Sequence, residues 1–86
     1  MIAKEITIKS HSGLHNRQAT LFVQKANEFE CNIQIQRGTH HVNAKSLLGV
    51  MCLCVQTGDA ITITVDGVDE ELALESLTVF LVTDII

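Results

Sequence analysis

At 86 residues the chain is expected to form one domain, residues 1–86, around a single core. A domain of that size buries only about 60–65% of its unfolded surface, so a surface site is expected instead of a deep pocket. A formal charge of −4 and the absence of Trp and Tyr exclude a basic field or a stacking platform for nucleic acid. No apolar run reaches the length of a membrane span.

The hydrophobic period changes several times along the chain, and each change marks an element. Ile2, Ile6 and Ile8 alternate with Ala3, Glu5 and Thr7, the pattern of a strand. Residues 1–9 lack the apolar core of a signal peptide, which predicts a cytoplasmic protein. Ser10 to Gly13 is a turn-like break. Ala19, Phe22, Val23 and Ala26 then repeat at i, i+3, i+4 and i+7, the buried stripe of a helix over roughly residues 16–27. Ile33 and Ile35 alternate with Gln34 and Gln36 in a second strand, and Arg37-Gly38-Thr39 turns it into a hairpin partner at His40 to Asn43.

Ser46 precedes the apolar run Leu47 to Leu53 and is suited to cap a short helix there. Gly58 ends the loop that follows, and Ile61, Ile63 and Val65 alternate with Thr62, Thr64 and Asp66. Asp69, Glu70 and Glu71 place negative charge in the first turn of a last helix, where the dipole favours it. Its core stripe is Ala73, Leu74, Leu77, Phe80 and Leu81. The order β-α-β-β-α-β-α, with alternating strands, predicts an α+β fold with helices on one side of an antiparallel sheet.

Gly13-Leu14-His15-Asn16-Arg17-Gln18-Ala19 places a histidine where the first helix begins. Helix N-termini expose unpaired N–H groups and bind phosphate readily. Arg17 adds a guanidinium suited to phosphate oxygens. The same field disfavours imidazolium, so His15 is expected to be neutral and nucleophilic near neutral pH, able to form a phosphohistidine. On spacing alone the plainer reading is a polar capping residue followed by a solvated charge.

Gly13-Leu14-His15-x-Arg17 resembles the active-site signature of the HPr family, the histidine phosphocarriers of the bacterial sugar phosphotransferase system. Asn43-Ala44-Lys45-Ser46-Leu47-Leu48-Gly49-Val50-Met51 resembles that family's regulatory serine segment. The likeness extends through Gly58 and the acidic start of the last helix. It implies an open-faced sandwich, four antiparallel strands with three helices on one face. It implies further that His15 takes phosphate from enzyme I and passes it to enzyme IIA proteins, with Arg17 steadying the phosphoryl group and no cofactor. Such a protein is a carrier, not an enzyme with its own substrate.

For Ser46 the resemblance implies phosphorylation by an HPr kinase/phosphorylase and binding of the modified protein to a catabolite-control repressor. The plainer reading of Ser46 is an ordinary N-cap. Leu47, Leu48, Val50, Met51 and Leu53 are too many for one face of a short helix. The resemblance implies that Leu47, Leu48 and Met51 form a partner-docking patch beside His15; scattered surface apolars are the alternative. Two positions depart from the family pattern. Gln18 stands where proline is usual, and Cys54 where glycine is common. The HPr-like catabolite repression protein lacks the active histidine, which this chain keeps. A regulatory module acting through Ser46 is therefore the second reading, and a ligand-binding domain with an incidental histidine the third.

Leu72, Val79 and Val82 form a second apolar line on the last helix, outside its core stripe. No metal is expected. His40 and His41 are adjacent on a strand and point to opposite faces. Cys52-x-Cys54 has no closed zinc spacing, and small buried hydrophobe is the usual fate of a cysteine.

Overall fold

The computed structural model describes residues 1–9 and 16–82. Four strands and three helices follow in the expected order: β1 Ile2–Thr7, α1 Asn16–Ala26, β2 Asn32–Arg37, β3 His40–Asn43, α2 Leu47–Cys52, β4 Ala60–Asp66 and α3 Glu70–Val82. All strand pairs are antiparallel, in the order β1-β4-β2-β3.

Period-2 alternation decides the two faces of this sheet. Register sets Ile6 opposite Ile61, Ile33 opposite Val65 and Ile35 opposite Ile63. All six side chains are buried, whereas Gln34, Gln36, Thr62 and Thr64 remain on the wetter face. β1 is an edge strand, and Lys4 shares the inward parity of Ile2 and Ile6 yet is exposed. It lines a groove with Glu71 and Glu75 of α3. An inward-pointing lysine of this kind discourages edge-to-edge pairing.

The helices close the apolar face. α1 buries Ala19, Phe22, Val23 and Ala26, and α3 buries Ala73, Leu77, Phe80 and Leu81, with Leu74 packed at the margin. The rings of Phe22 and Phe80 meet at 6.0 Å with a tilt of 53°, joining α1 to α3 over the sheet. Leu72, Val79 and Val82 stay exposed on the outer side of α3.

Asp69 differs from the expectation. α3 begins at Glu70, and the Asp69 carboxylate turns away from the helix to accept from the backbone N–H groups of Glu30 at 2.8 Å and Cys31 at 2.9 Å. Two orphan amides of the α1–β2 connection outcompete the helix end for it. Gly67 makes this approach possible. At φ +154 it lies so close that an added Cβ would stand 2.6 Å from the Cys31 Cα.

Candidate functional site

α1 starts at Asn16 with no acidic residue in its first turn, so nothing there opposes an anion. Arg17 is exposed in that first turn. His15 and His11 lie outside the described residues. Gln18, by contrast, is buried to 7% exposure, and its side-chain carbonyl Oε1 has no hydrogen-bond partner among the described residues. Its burial had a sequence signal. Residues 18, 22 and 26 are four apart and share one helix face, the face that Phe22 and Ala26 turn to the core.

Ser46 caps α2 as the sequence predicts. Its backbone is extended (φ −103, ψ 113), its Oγ accepts from the Gly49 N–H at 3.2 Å, and its carbonyl accepts from Val50 N–H at 3.0 Å. The segment before it is fixed independently. The Lys45 N–H donates to Asn43 Oδ1 at 2.8 Å, and the Lys45 ammonium donates to the Phe29 carbonyl.

The apolar run of α2 divides as its length requires. Val50 and Leu53 are buried, while Leu47 and Met51 are each 40% exposed and Leu48 is 74% exposed. Three large apolar side chains of a six-residue helix are thus exposed.

α1 packs against α2. The C-terminal end of α1 lies beside the start of α2, because Asn27 Nδ2 donates to the Lys45 carbonyl at 3.2 Å. Arg17 is ten residues back along α1, which at 1.5 Å per residue is about 15 Å away. The fold therefore does not bring Ser46 against Arg17. It sets them toward opposite ends of α1, with α2 alongside.

Two of the three cysteines depart from the buried fate expected of them. Cys31 is buried, and its thiol is pushed up to about 11, first by burial and then by the Asp69 carboxylate beside it. Cys52 and Cys54 are exposed. Cys54 also adopts φ 54, just past the C-cap Leu53, and its N–H donates to the Met51 carbonyl at 3.2 Å. This left-handed position after a helix is the one glycine usually fills.

Comparison with known proteins agrees with this geometry over almost the whole chain. The family profile described as the PTS HPr component phosphorylation site matches residues 2–83. The HPr-like protein Crh of Halalkalibacterium halodurans is 42% identical over 81 residues, covering 94% of this chain and 96% of the relative. The phosphocarrier protein HPr of Treponema pallidum is 38% identical over 77 residues, covering 90% and 88%. The crystal structure of a phosphocarrier protein HPr from Bacillus anthracis superposes with a TM-score of 0.92 at 44% identity, covering 93% of this chain and 95% of that one. Among the described residues no helix is long and apolar enough to cross a membrane. Sequence, strand order and helix placement converge, and the chain belongs to the HPr family, which comprises phosphocarriers and HPr-like Crh proteins and not enzymes.

Proposed function

We propose that the chain is a cytoplasmic phosphocarrier of the sugar phosphotransferase system. His15 accepts the phosphoryl group from enzyme I and yields it to enzyme IIA proteins. The observation that carries this reading is the retained Gly13-Leu14-His15-x-Arg17 signature within a chain of this family. The start of α1 supports it, since the N–H groups of a first helical turn have no intrahelical partner, Arg17 is exposed there and the turn carries no acidic residue.

In the transfer step the imidazole nitrogen attacks phosphorus as the bond to the donor's own phosphorylated nitrogen breaks. Arg17 spreads the charge that the phosphoryl oxygens carry. The exposed face of Leu47, Leu48 and Met51 provides a docking patch on which enzyme I and the IIA proteins would take turns. Binding by one surface suits a carrier, because each partner must leave before the next arrives.

The test is incubation with enzyme I and phosphoenolpyruvate, followed by intact mass. One acid-labile phosphate is expected on the wild-type chain and none on His15→Ala. Full phosphorylation of His15→Ala would remove the assignment.

A second reading is favoured by the likeness to Crh proteins. In it the chain acts mainly in catabolite repression, through Ser46 phosphorylated by an HPr kinase/phosphorylase and recognised by a catabolite-control repressor. The exposed Ser46 Oγ at the cap of α2 supports access for such a kinase. A wild-type chain that enzyme I leaves unmodified, but that the kinase phosphorylates, would decide for this reading.

A further inference from the structure

The helix that carries the exposed Leu47, Leu48 and Met51 is only six residues long. Isolated helices shorter than about 12 residues are marginal in water, so the pose of α2 is set by what fastens it. The Ser46 cap holds its start, and Val50 is buried in its middle. Its end is held differently. The last turn carries no basic residue to answer the negative pole of the helix dipole. The Leu53 N–H donates to the Val50 carbonyl at 3.3 Å and the Cys54 N–H to that of Met51 at 3.2 Å, both in tight 3₁₀ fashion. Cys54 then turns the chain off through the left-handed region.

Arg37, the last residue of β2, supplies the cation that α2 lacks. Its Nη1 donates to the carbonyl of the C-cap Leu53 at 3.2 Å, at the negative end of the helix. Its Nε donates to Asp59 Oδ2 at 3.0 Å, and that oxygen also accepts from the Gln56 N–H at 2.9 Å. The 56–59 turn is tied in its own right to the chain just past β1. The Gly58 N–H donates to the Ile8 carbonyl and the Ile8 N–H to the Asp59 carbonyl, both at 2.9 Å. One planar guanidinium thus joins the sheet, the turn before β4 and the end of α2. A lysine ammonium, a point charge on a flexible stem, does not reproduce that fork.

We propose that Arg37 is a positioning residue for partner docking. It grips the end of α2 from the sheet and so holds the Leu47, Leu48 and Met51 face in the pose that a partner recognises. This rests on the docking role proposed above for that face. The effect should centre on Met51, whose own carbonyl is bonded within the turn that Arg37 closes, two residues before Leu53. A helix that spends part of its time displaced binds more weakly in proportion to the fraction out of place. Once docked, the chain transfers its phosphoryl group as before. Loss of Arg37 is therefore expected in KM and not in kcat.

Arg37→Met keeps the stem and removes the donors, and thermal unfolding checks that the variant is folded. Amide exchange then reads α2 directly. The Leu53 and Cys54 N–H groups should exchange roughly tenfold faster than in wild type, because losing a bond from a charged donor loosens the turn they close. With enzyme I, the KM for the chain as substrate should rise on the order of threefold with kcat unchanged. Arg37→Lys should recover only part of each effect. Met51→Ala should raise KM by itself, and Arg37→Met should add little to it, since both act through one face. HPr kinase/phosphorylase acting on Ser46, at the start of the same helix, provides a second KM. A chain that only the kinase modifies would end the carrier reading, while a raised kinase KM in Arg37→Met would still support the positioning role. Unaltered exchange at Leu53 and Cys54 would overturn the proposal. So would an unchanged KM for every partner that modifies the chain, a loss confined to kcat, or full additivity with Met51→Ala.

Discussion

At the scale of single residues, the first turn of α1 combines a group suited to phosphate with one that costs stability. Arg17 is exposed in the first turn of the helix, which carries no acidic residue. Arg17→Ala should therefore leave unfolding midpoints unchanged and slow transfer through His15. Losing a buried oxyanion donor costs roughly 100- to 1,000-fold in rate, and an arginine open to water should cost less, on the order of 10- to 100-fold. Stopped-flow or quench kinetics with enzyme I would measure this, and unchanged rates in both directions would end the role proposed for Arg17. Gln18 is the opposite case, a buried carbonyl oxygen with nothing to accept from among the described residues. An unsatisfied buried polar group costs about 1–3 kcal/mol. Gln18→Met keeps the shape without the orphan and should raise stability by about 1 kcal/mol or more in urea unfolding. Gln18→Pro restores the usual family residue and removes the same orphan. It should add roughly 0.4–1 kcal/mol through the unfolded chain if the local φ is compatible. A proline is tolerated in the first turn, where the missing N–H has no intrahelical partner. Destabilisation by Gln18→Met would mean that the oxygen has a partner after all.

At the scale of elements, the strands and helices were legible because burying one face imposes a period on the sequence. The alternation of Ile61, Ile63 and Val65 and the stripe Ala19, Phe22, Val23, Ala26 both read directly onto buried faces. The cap at Ser46 was legible from its position before an apolar run. What lay beyond reach was contact between distant segments. The Asp69 carboxylate serves amides 39 and 38 residues away, and no local pattern announces that. The exposure of Cys52 and Cys54 depends on which side of α2 meets the core and on the αL turn after it. Distance along α1 also recasts how Ser46 would act. Ser46 follows Lys45, whose carbonyl meets Asn27 just past the end of α1, and the helix rise from there back to Arg17 is about 15 Å, longer than the ~8–10 Å over which salt screens exposed charges. A phosphate on Ser46 should thus oppose partners at the Leu47, Leu48 and Met51 patch, not the phosphoryl group directly. Ser46→Asp should keep the α2 cap and the favourable dipole, leaving stability within about 0.5 kcal/mol of wild type. It should raise the KM for this protein as substrate of enzyme I more than it lowers kcat. Ser46→Ala should do the reverse, losing about 1 kcal/mol of stability while enzyme I accepts it normally. Equal effects of Ser46→Asp on both constants would argue against a docking origin.

At the scale of the whole molecule, carboxylates that staple distant connections should set its behaviour in acid. The Asp69 carboxyl is held below its ordinary range first by the Glu30 N–H, with further help from the Cys31 thiol and N–H. Asp59 is held low first by the Gln56 N–H and then by Arg37, and Glu70 first by the Gly67 N–H. Asp69 ties the α1–β2 connection to the start of α3, and Asp59 ties the β4 approach to β2. For a carboxyl lowered in the folded state, the unfolded chain binds the proton first as pH falls. Near and below the ordinary Asp value of 3.8 the unfolded state therefore gains protons that the folded state refuses, and stability drops with falling pH. The contribution is complete well above that value and is lost as pH falls through the lower folded value. Asp69→Asn tests this by difference. The amide oxygen can still accept one of the two N–H groups, but its NH2 faces the other, so the variant should be less stable than wild type near neutral pH. Protonated Asp69 suffers the same loss of an acceptor, so the gap should close in acid. Urea midpoints of the two proteins, compared from about pH 6 to about pH 2.5, should differ most at the high end and converge below the ordinary carboxyl range. A gap that stays constant over that interval would show that Asp69 holds the α1–β2 connection by shape, with no contribution from its charge.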